Sequence, residues 1–225
     1  MSVSVENFVK VVYQHELDND LETRPGTIAR ALGITSAAAT DMSRKLSARN
    51  LIRYKKYQKL RLTADGRAMA LHVIRKHRLW ETFLFRVFDL SLHEIHREAE
   101  LLEHQTSDFL AEKISSFLGR PDFDPHGEPI PDAGGSMQIP EEQWTLSNAT
   151  PGFQYQITGL ISSDREFFDF CQLNQVTLNN RLKIVARYAG SKLTEIIIHQ
   201  KKMLLPIEFA RNIRVLQQPE SSSNQ

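Results

Sequence analysis

Residues 27–62 read TIARALGITSAAATDMSRKLSARNLIRYKKYQKLRL. Thr27 follows the breaker Pro25-Gly26 and can cap a helix that Gly33 then stops. Thr35 or Ser36 can cap the next helix, which runs through the small residues Ala37–Ala39 to about Arg49, with Asn50 as its stop. Leu51–Tyr54 and Leu60–Leu62 are short β-favouring runs on either side of a basic turn, Lys55–Lys59. Two short helices joined by a Gly-containing turn, then a basic hairpin, is the layout of a winged helix-turn-helix. The string Tyr54-Lys55-Lys56-Tyr57-Gln58-Lys59 interleaves aromatics with cations, which suits a wing lying on phosphates, although Lys-rich turns are also common as plain solvated turns.

Outward from this stretch, Val5, Phe8, Val9, Val12 and Tyr13 have the spacing of one buried helix face over residues 5–17. Downstream, Thr63-Ala64-Asp65-Gly66-Arg67 resembles the cap of a long helix to about Phe88. Ser91 and Glu94 form a capping-box pattern that predicts another, reaching roughly Leu118. Residues 119–152 are rich in Pro, Gly and Asp and predict an irregular linker. Beyond it, β-prone runs at Tyr155–Leu160, Gln175–Tyr188, Leu193–Leu204 and Ile213–Leu216, with a short helix at Asp164–Cys171, predict a small barrel or sandwich. The tail PESSSNQ is expected to be disordered. The fold class is therefore mainly α with a β C-terminal domain.

The net charge of +1 hides an asymmetry. Met42–Arg78 holds twelve Lys/Arg against one acid, Asp65, whereas Glu81–Glu112 holds eight acids against Arg86 and Arg97. A basic block suits a polyanion, and an acidic block that also carries histidines suits cations. A single cysteine, Cys171, allows no internal disulfide. With no signal-peptide pattern and no apolar run near the roughly 18 residues of a membrane helix, the expected location is the cytoplasm, with no membrane partner.

In the acidic block His96, Glu100, Glu103 and His104 would span only about 100° of one helix. On the preceding helix His77 and Glu81 are four residues apart and share a face. Such sets can chelate a divalent cation from a rigid scaffold, although an acidic helix face is also common as a solvated surface. His93 is expected at the surface, and His126 and His15 have no local partners in the sequence.

The strings RKHRLWE, HREAELLEH and DPHGEPIP, in this order after a winged helix, resemble the diphtheria-toxin-repressor family of metal-dependent regulators. The similarity covers residues 5–132, and the C-terminal part resembles the family's SH3-like domain in length and strand content. The resemblance implies a winged helix-turn-helix in residues 1–74, a helical metal-binding and dimerisation domain in 75–140 and a small SH3-like barrel in 150–220. It implies a homodimer that binds double-stranded operator DNA once metal is bound and represses metal-uptake genes. Carried over, His77, Glu81 and His96 would form an ancillary metal site. Glu100, Glu103 and His104 would form a primary site, closed by a first-helix ligand at Asn7. Glu6, next to Asn7, is expected to face elsewhere. Iron-type members have a Cys where this chain has Glu100, as manganese-type members do, and hard carboxylate donors favour Mn²⁺, with Fe²⁺ the alternative. Members that bind a metal pair often carry an acid at the position of Lys10, which argues against that arrangement here. Asp164 and Glu166 are candidates for a further oxygen ligand, or else simply complement a helix dipole.

On the nucleic-acid side, the second helix of the motif would enter the major groove and present Thr35, Ser36, Ala37, Ala38, Thr40 and Asp41. These small side chains suit close approach and shape readout more than bidentate contacts. Phosphate contacts would come from Arg24, Thr27, Arg44, Lys45, Lys55, Lys56 and Lys59. Metal would act by linkage, bridging the first helix to the dimerisation helices and favouring the DNA-competent arrangement. A metal-dependent hydrolase with Glu103 as base is the reading from another class.

Overall fold

The computed structural model describes residues 2–17, 22–88, 90–138, 143–162 and 164–218. The chain divides into two compact units, one of Met1–Trp80, Glu98–Arg120 and Ile130–Met137, the other of Glu81–Arg97, Pro121–Pro129 and Gln138–Gln225. The tail PESSSNQ lies outside the described residues.

The first unit opens with α1 (Val3–Leu17), whose Phe8, Val9 and Val12 are fully buried. Next come α2 (Pro25–Ala31) and α3 (Ser36–Ala48). The N-cap of α2 is Arg24 rather than Thr27, because Pro25 takes the first helical position, where its missing N–H costs nothing. Thr35 caps α3, its side-chain oxygen accepting from Ala38 N at 3.1 Å. Strands β1 (Ile52–Arg53) and β2 (Arg61–Leu62) pair antiparallel, Ile52 opposite Leu62. The core of this unit gathers Phe8, Ile28, Leu46, Ile52 and Leu60 between the helices and the hairpin. Gly66 sits in the first turn of α4 (Ala64–Phe88), where an added Cβ would collide with the Leu51 carbonyl.

The helix expected from Ser91 to Leu118 is broken. Helix α5 (Leu92–Leu102) runs into a 3₁₀ turn, Glu103–Gln105, and α6 (Asp108–Phe117) starts afresh. Two groups end the α-helical run. Thr106 Oγ1 bonds back to Leu102 O at 2.7 Å, and Ser107 caps α6 by accepting from Leu110 N at 3.2 Å. The Ser91 box does form, with Glu94 Oε2 accepting from both Ser91 N and Ser91 Oγ, and these bonds hold the Glu94 carboxyl below its usual range.

The segment expected to be an irregular linker, residues 119–152, includes a short strand at Trp144–Thr145, and its turns are well packed. Asp124 Oδ1 accepts from His126 N and Glu128 N, and Asp132 Oδ1 accepts from Gly134 N and Ser136 N, so two aspartate-closed turns follow one another. Asp124, His126 and Ile130 are buried. In the second unit, Gly127, at φ 84°, backs onto the Thr158 carbonyl with no room for a Cβ.

That unit is built on one antiparallel sheet in the order β3-β8-β4-β5-β6-β7. Its strands are β3 (Trp144–Thr145), β4 (Gln154–Leu160), β5 (Arg181–Tyr188), β6 (Leu193–Ile198), β7 (Lys201–Pro206) and β8 (Ile213–Gln217), with α7 (Arg165–Leu173) and α8 (Ile207–Asn212) inserted. The run read as one strand, Leu193–Leu204, is a hairpin turning at His199 and Gln200, both at positive φ. Neither residue is the Gly or Asn that marks such turns in a sequence. Helix α7 buries Phe167, Phe168 and Cys171 against the sheet.

Candidate metal centres and nucleic-acid interface

The face that would meet nucleic acid is small-residued and open. Thr35, Ser36, Ala37, Ala38, Asp41, Arg44 and Lys45 are exposed and Thr40 half-buried, while Ala39, Ser43 and Leu46 anchor α3 in the core. Asp41 is not a bare acid on this face, since Lys45 Nζ lies 2.8 Å from its carboxylate. At the hairpin tip Lys55, Lys56, Tyr57 and Lys59 are exposed, with the Lys56 ammonium 4.9 Å from the Tyr57 ring centre. Arg24 is exposed and pairs with Glu22 at 3.2 Å, and Thr27 is half-buried within the first turn of α2.

A first cluster of imidazoles and carboxylates lies in the first unit. Glu103, its side chain fully buried, has one oxygen 2.7 Å from Lys10 Nζ and the other 2.6 Å from His77 Nδ1. The same Lys10 ammonium is 2.7 Å from Glu100 Oε1. His77, Glu100 and Glu103 offer ligand atoms within 4.8 Å of one another. His104 Nδ1 lies 2.6 Å from Glu6 Oε2, and its Nε2 is 3.2 Å from Glu103 Oε1. Glu6 therefore faces this cluster, contrary to the sequence expectation, and Asn7 keeps a buried Oδ1 without a hydrogen-bond partner. Of the four residues expected on one helical face, Glu100, Glu103 and His104 meet in this cluster, and His96 instead meets Glu81.

A second cluster lies in the second unit. Glu81, 1% exposed, has Oε1 at 3.0 Å from His96 Nδ1 and 3.3 Å from His126 Nε2. The His96 and His126 rings stand perpendicular, 6.3 Å between centres, and Phe168 closes on His126 at 5.2 Å. His126 Nδ1 is 3.3 Å from the Leu160 carbonyl. In the metal-free chain an Nε2 proton can donate to the Glu81 carboxylate, and loss of that proton would free the Nε2 lone pair for a cation. Burial works to lower the His126 pKa, but the Glu81 carboxylate, aided by Asp124 and Glu128, outweighs it and holds the pKa above its ordinary value. A buried carboxylate oxygen beside two imidazoles offers the oxygen and nitrogen donors that can hold a divalent cation.

Residues 63–132, which hold every residue of both clusters outside α1, match the family described as "Iron dependent repressor, metal binding and dimerisation domain". The chain is 27% identical to the iron-dependent repressor IdeR of Mycobacterium leprae over 94% of its own length and 96% of that protein's. It is 28% identical to the diphtheria toxin repressor of Corynebacterium glutamicum over 58% of this chain and 57% of that one. Among solved structures it superposes on a manganese-dependent transcriptional repressor in complex with manganese, TM-score 0.90 and 28% identity, covering 95% of this chain and 100% of the other.

Over almost its whole length the chain is similar to repressors of the diphtheria-toxin-repressor family.

Of the residues expected at the ancillary site, Glu81 and His96 meet, and His77, four residues before Glu81 on α4, has Nδ1 2.6 Å from Glu103. Glu100, Glu103 and His104 converge, but on Lys10 and Glu6. Asp164 is the N-cap of α7, accepting from Glu166 N at 2.9 Å, and both residues are exposed. Sequence reasoning missed Glu6, Lys10 and His126 as members of these clusters. The DPHG string held the signal for His126: Asp124 shapes a tight turn, and Gly127 lets it lie against β4. Cys171 is no ligand candidate in either cluster, since it is buried in the β core and burial pushes its thiol up to about 12.

Proposed function

We propose that this chain is a metal-activated DNA-binding repressor of metal-uptake genes, favouring Mn²⁺, and acting in the cytoplasm as a homodimer on double-stranded operator DNA. The observation that carries it is the buried Glu81/His96/His126 cluster in a chain whose α3 and basic hairpin have the layout of a DNA reader. In functional terms residues 1–74 contact DNA, 75–140 sense metal and dimerise, and 150–220 form the SH3-like part.

Glu81, His96 and His126 would hold the ion, which supplies a compact double positive charge where two neutral imidazoles and a carboxylate converge. The Leu160 carbonyl orients His126, and Phe168 keeps water from that face. Neither cluster contains a thiolate, so the donors are nitrogen and oxygen, which suits Mn²⁺ or Fe²⁺ better than softer ions. The family's iron-named members keep Fe²⁺ as the alternative. The exposed apolar side chains Leu101, Phe109 and Phe117, from 67 to 73% accessible, support a dimer surface in the first unit. On DNA, Thr35–Ala38 approach base edges closely, while Arg44, Lys55, Lys56 and Lys59 reach phosphates. No helix among the described residues is long and apolar enough to cross a membrane. The hydrolase reading is set aside, because the family is one of repressors.

Operator affinity measured by fluorescence anisotropy should rise with added Mn²⁺ and fall with chelator. An affinity indifferent to both would defeat the proposal, and parallel titrations with Fe²⁺ rank the two ions.

A further inference from the structure

The cluster at Glu100 and Glu103 already holds a cation, and that cation is part of the chain. Lys10 Nζ lies 2.7 Å from Glu100 Oε1 and 2.7 Å from Glu103 Oε1, on a side chain only 7% exposed. An ammonium so placed uses the lone pairs that a divalent ion would need, since metal–oxygen bonds run about 2.0–2.2 Å. The neighbouring donors are engaged as well. His77 Nδ1 lies 2.6 Å from Glu103's second oxygen, and His104 Nδ1 lies 2.6 Å from Glu6 Oε2. On α1, Glu6 spends its carboxylate on His104, Asn7 is neutral, and Lys10 adds charge of the wrong sign for a metal site. As this chain builds it, the Glu100/Glu103/His104 set does not fit a metal ion.

In the second cluster Glu81 Oε1 meets imidazole nitrogens, His96 Nδ1 at 3.0 Å and His126 Nε2 at 3.3 Å. We propose that Lys10 is a tethered cation standing in for the metal ion at Glu100 and Glu103. The chain then takes one divalent ion, at Glu81/His96/His126, and α1 is held to the Glu100–Glu103 segment with no metal at all. The second half rests on the metal-binding reading above, whereas the first half stands on the Lys10 distances.

The test is a count of Mn²⁺ bound per full-length chain after chelator treatment, dialysis against Mn²⁺ and elemental analysis. Wild type should hold one ion, lose it with Glu81→Gln and keep it with Glu103→Gln. Lys10→Met, which removes the ammonium and keeps both carboxylates, should raise the count from one to two, and Lys10→Arg should leave it at one. Two ions in wild type, with one lost on Glu103→Gln, would overturn the proposal, and this arm does not depend on any Lys10 variant folding. A folded Lys10→Met chain whose count does not rise overturns it equally. Should wild type hold no ion, the metal-activated reading fails, yet a first ion gained by Lys10→Met still supports the role of Lys10.

Discussion

The two clusters are made of the same kinds of side chain and differ in what neutralises their carboxylates. Around Glu103 the balancing charge is covalently attached, as the Lys10 ammonium reaches from α1 into a site closed to water. Around Glu81 two imidazoles face one buried acid, and each imidazole can carry a proton or lend a lone pair. In the first an ammonium occupies the carboxylate oxygens, and in the second imidazoles that could lend lone pairs to a divalent ion do. If the second cluster alone takes the ion, the neighbouring charge rather than the residue type decides between them.

Removing the tethered charge tests this difference most severely. Lys10→Ala strands Glu103 in a buried position, and losing one partner of a buried pair costs about 3–5 kcal/mol. Urea denaturation should show that loss with and without Mn²⁺, and a loss under about 1 kcal/mol would mean the ammonium does not balance Glu103. In the second cluster Glu81→Gln should remove the effect of Mn²⁺ on operator affinity, a coupling of about 1–3 kcal/mol by the usual scale of such linkage. Retention of full Mn²⁺ dependence in that variant would place the sensing ion elsewhere.

The clusters should also separate by pH. In the metal-free chain the raised His126 pKa means the folded state binds this proton more tightly than the unfolded one. Its contribution is complete below the ordinary histidine value of about 6.5 and is lost as pH rises through the higher folded value. Thermal midpoints in chelator should therefore drift down across this range. Mn²⁺ affinity should climb over the same range, because the ion needs neutral imidazole. Parallel slopes in the two series would break the assignment of His126 to the metal. The smallest effect expected is at Cys171. Its buried thiol, at about 12, should resist alkylation at pH 8 until the second unit opens, and Mn²⁺ should slow that opening further. Rapid labelling of the native chain would show that unit to be looser than its packing indicates.

Much of the architecture was readable because it depends on near neighbours. Thr35 caps α3, Glu94 closes the Ser91 box and Asp164 caps α7, each acting within three residues along the chain. The break after Leu102 was not readable from the apolar period. It depends on Thr106 and Ser107 competing for backbone groups, and these look like ordinary helix-surface residues in a pattern count. The turn at His199 and Gln200 escaped notice for a related reason. Tertiary pairing of β6 with β7 forces two residues into positive φ that do not favour it, and His199 Nε2 lies 3.0 Å from Gln175 O.

By itself the sequence determined the winged helix-turn-helix, the strand-rich C-terminal half and the concentration of His and Glu between residues 77 and 104, because helix caps, apolar periods and charge blocks are local properties. The tertiary structure decided which of those carboxylates meets a lysine and which meets imidazoles. Lys10 and Glu100 are 90 residues apart, and so distant a pair forms only once burial of Phe8, Val9 and Val12 has set how α1 is rotated in its core.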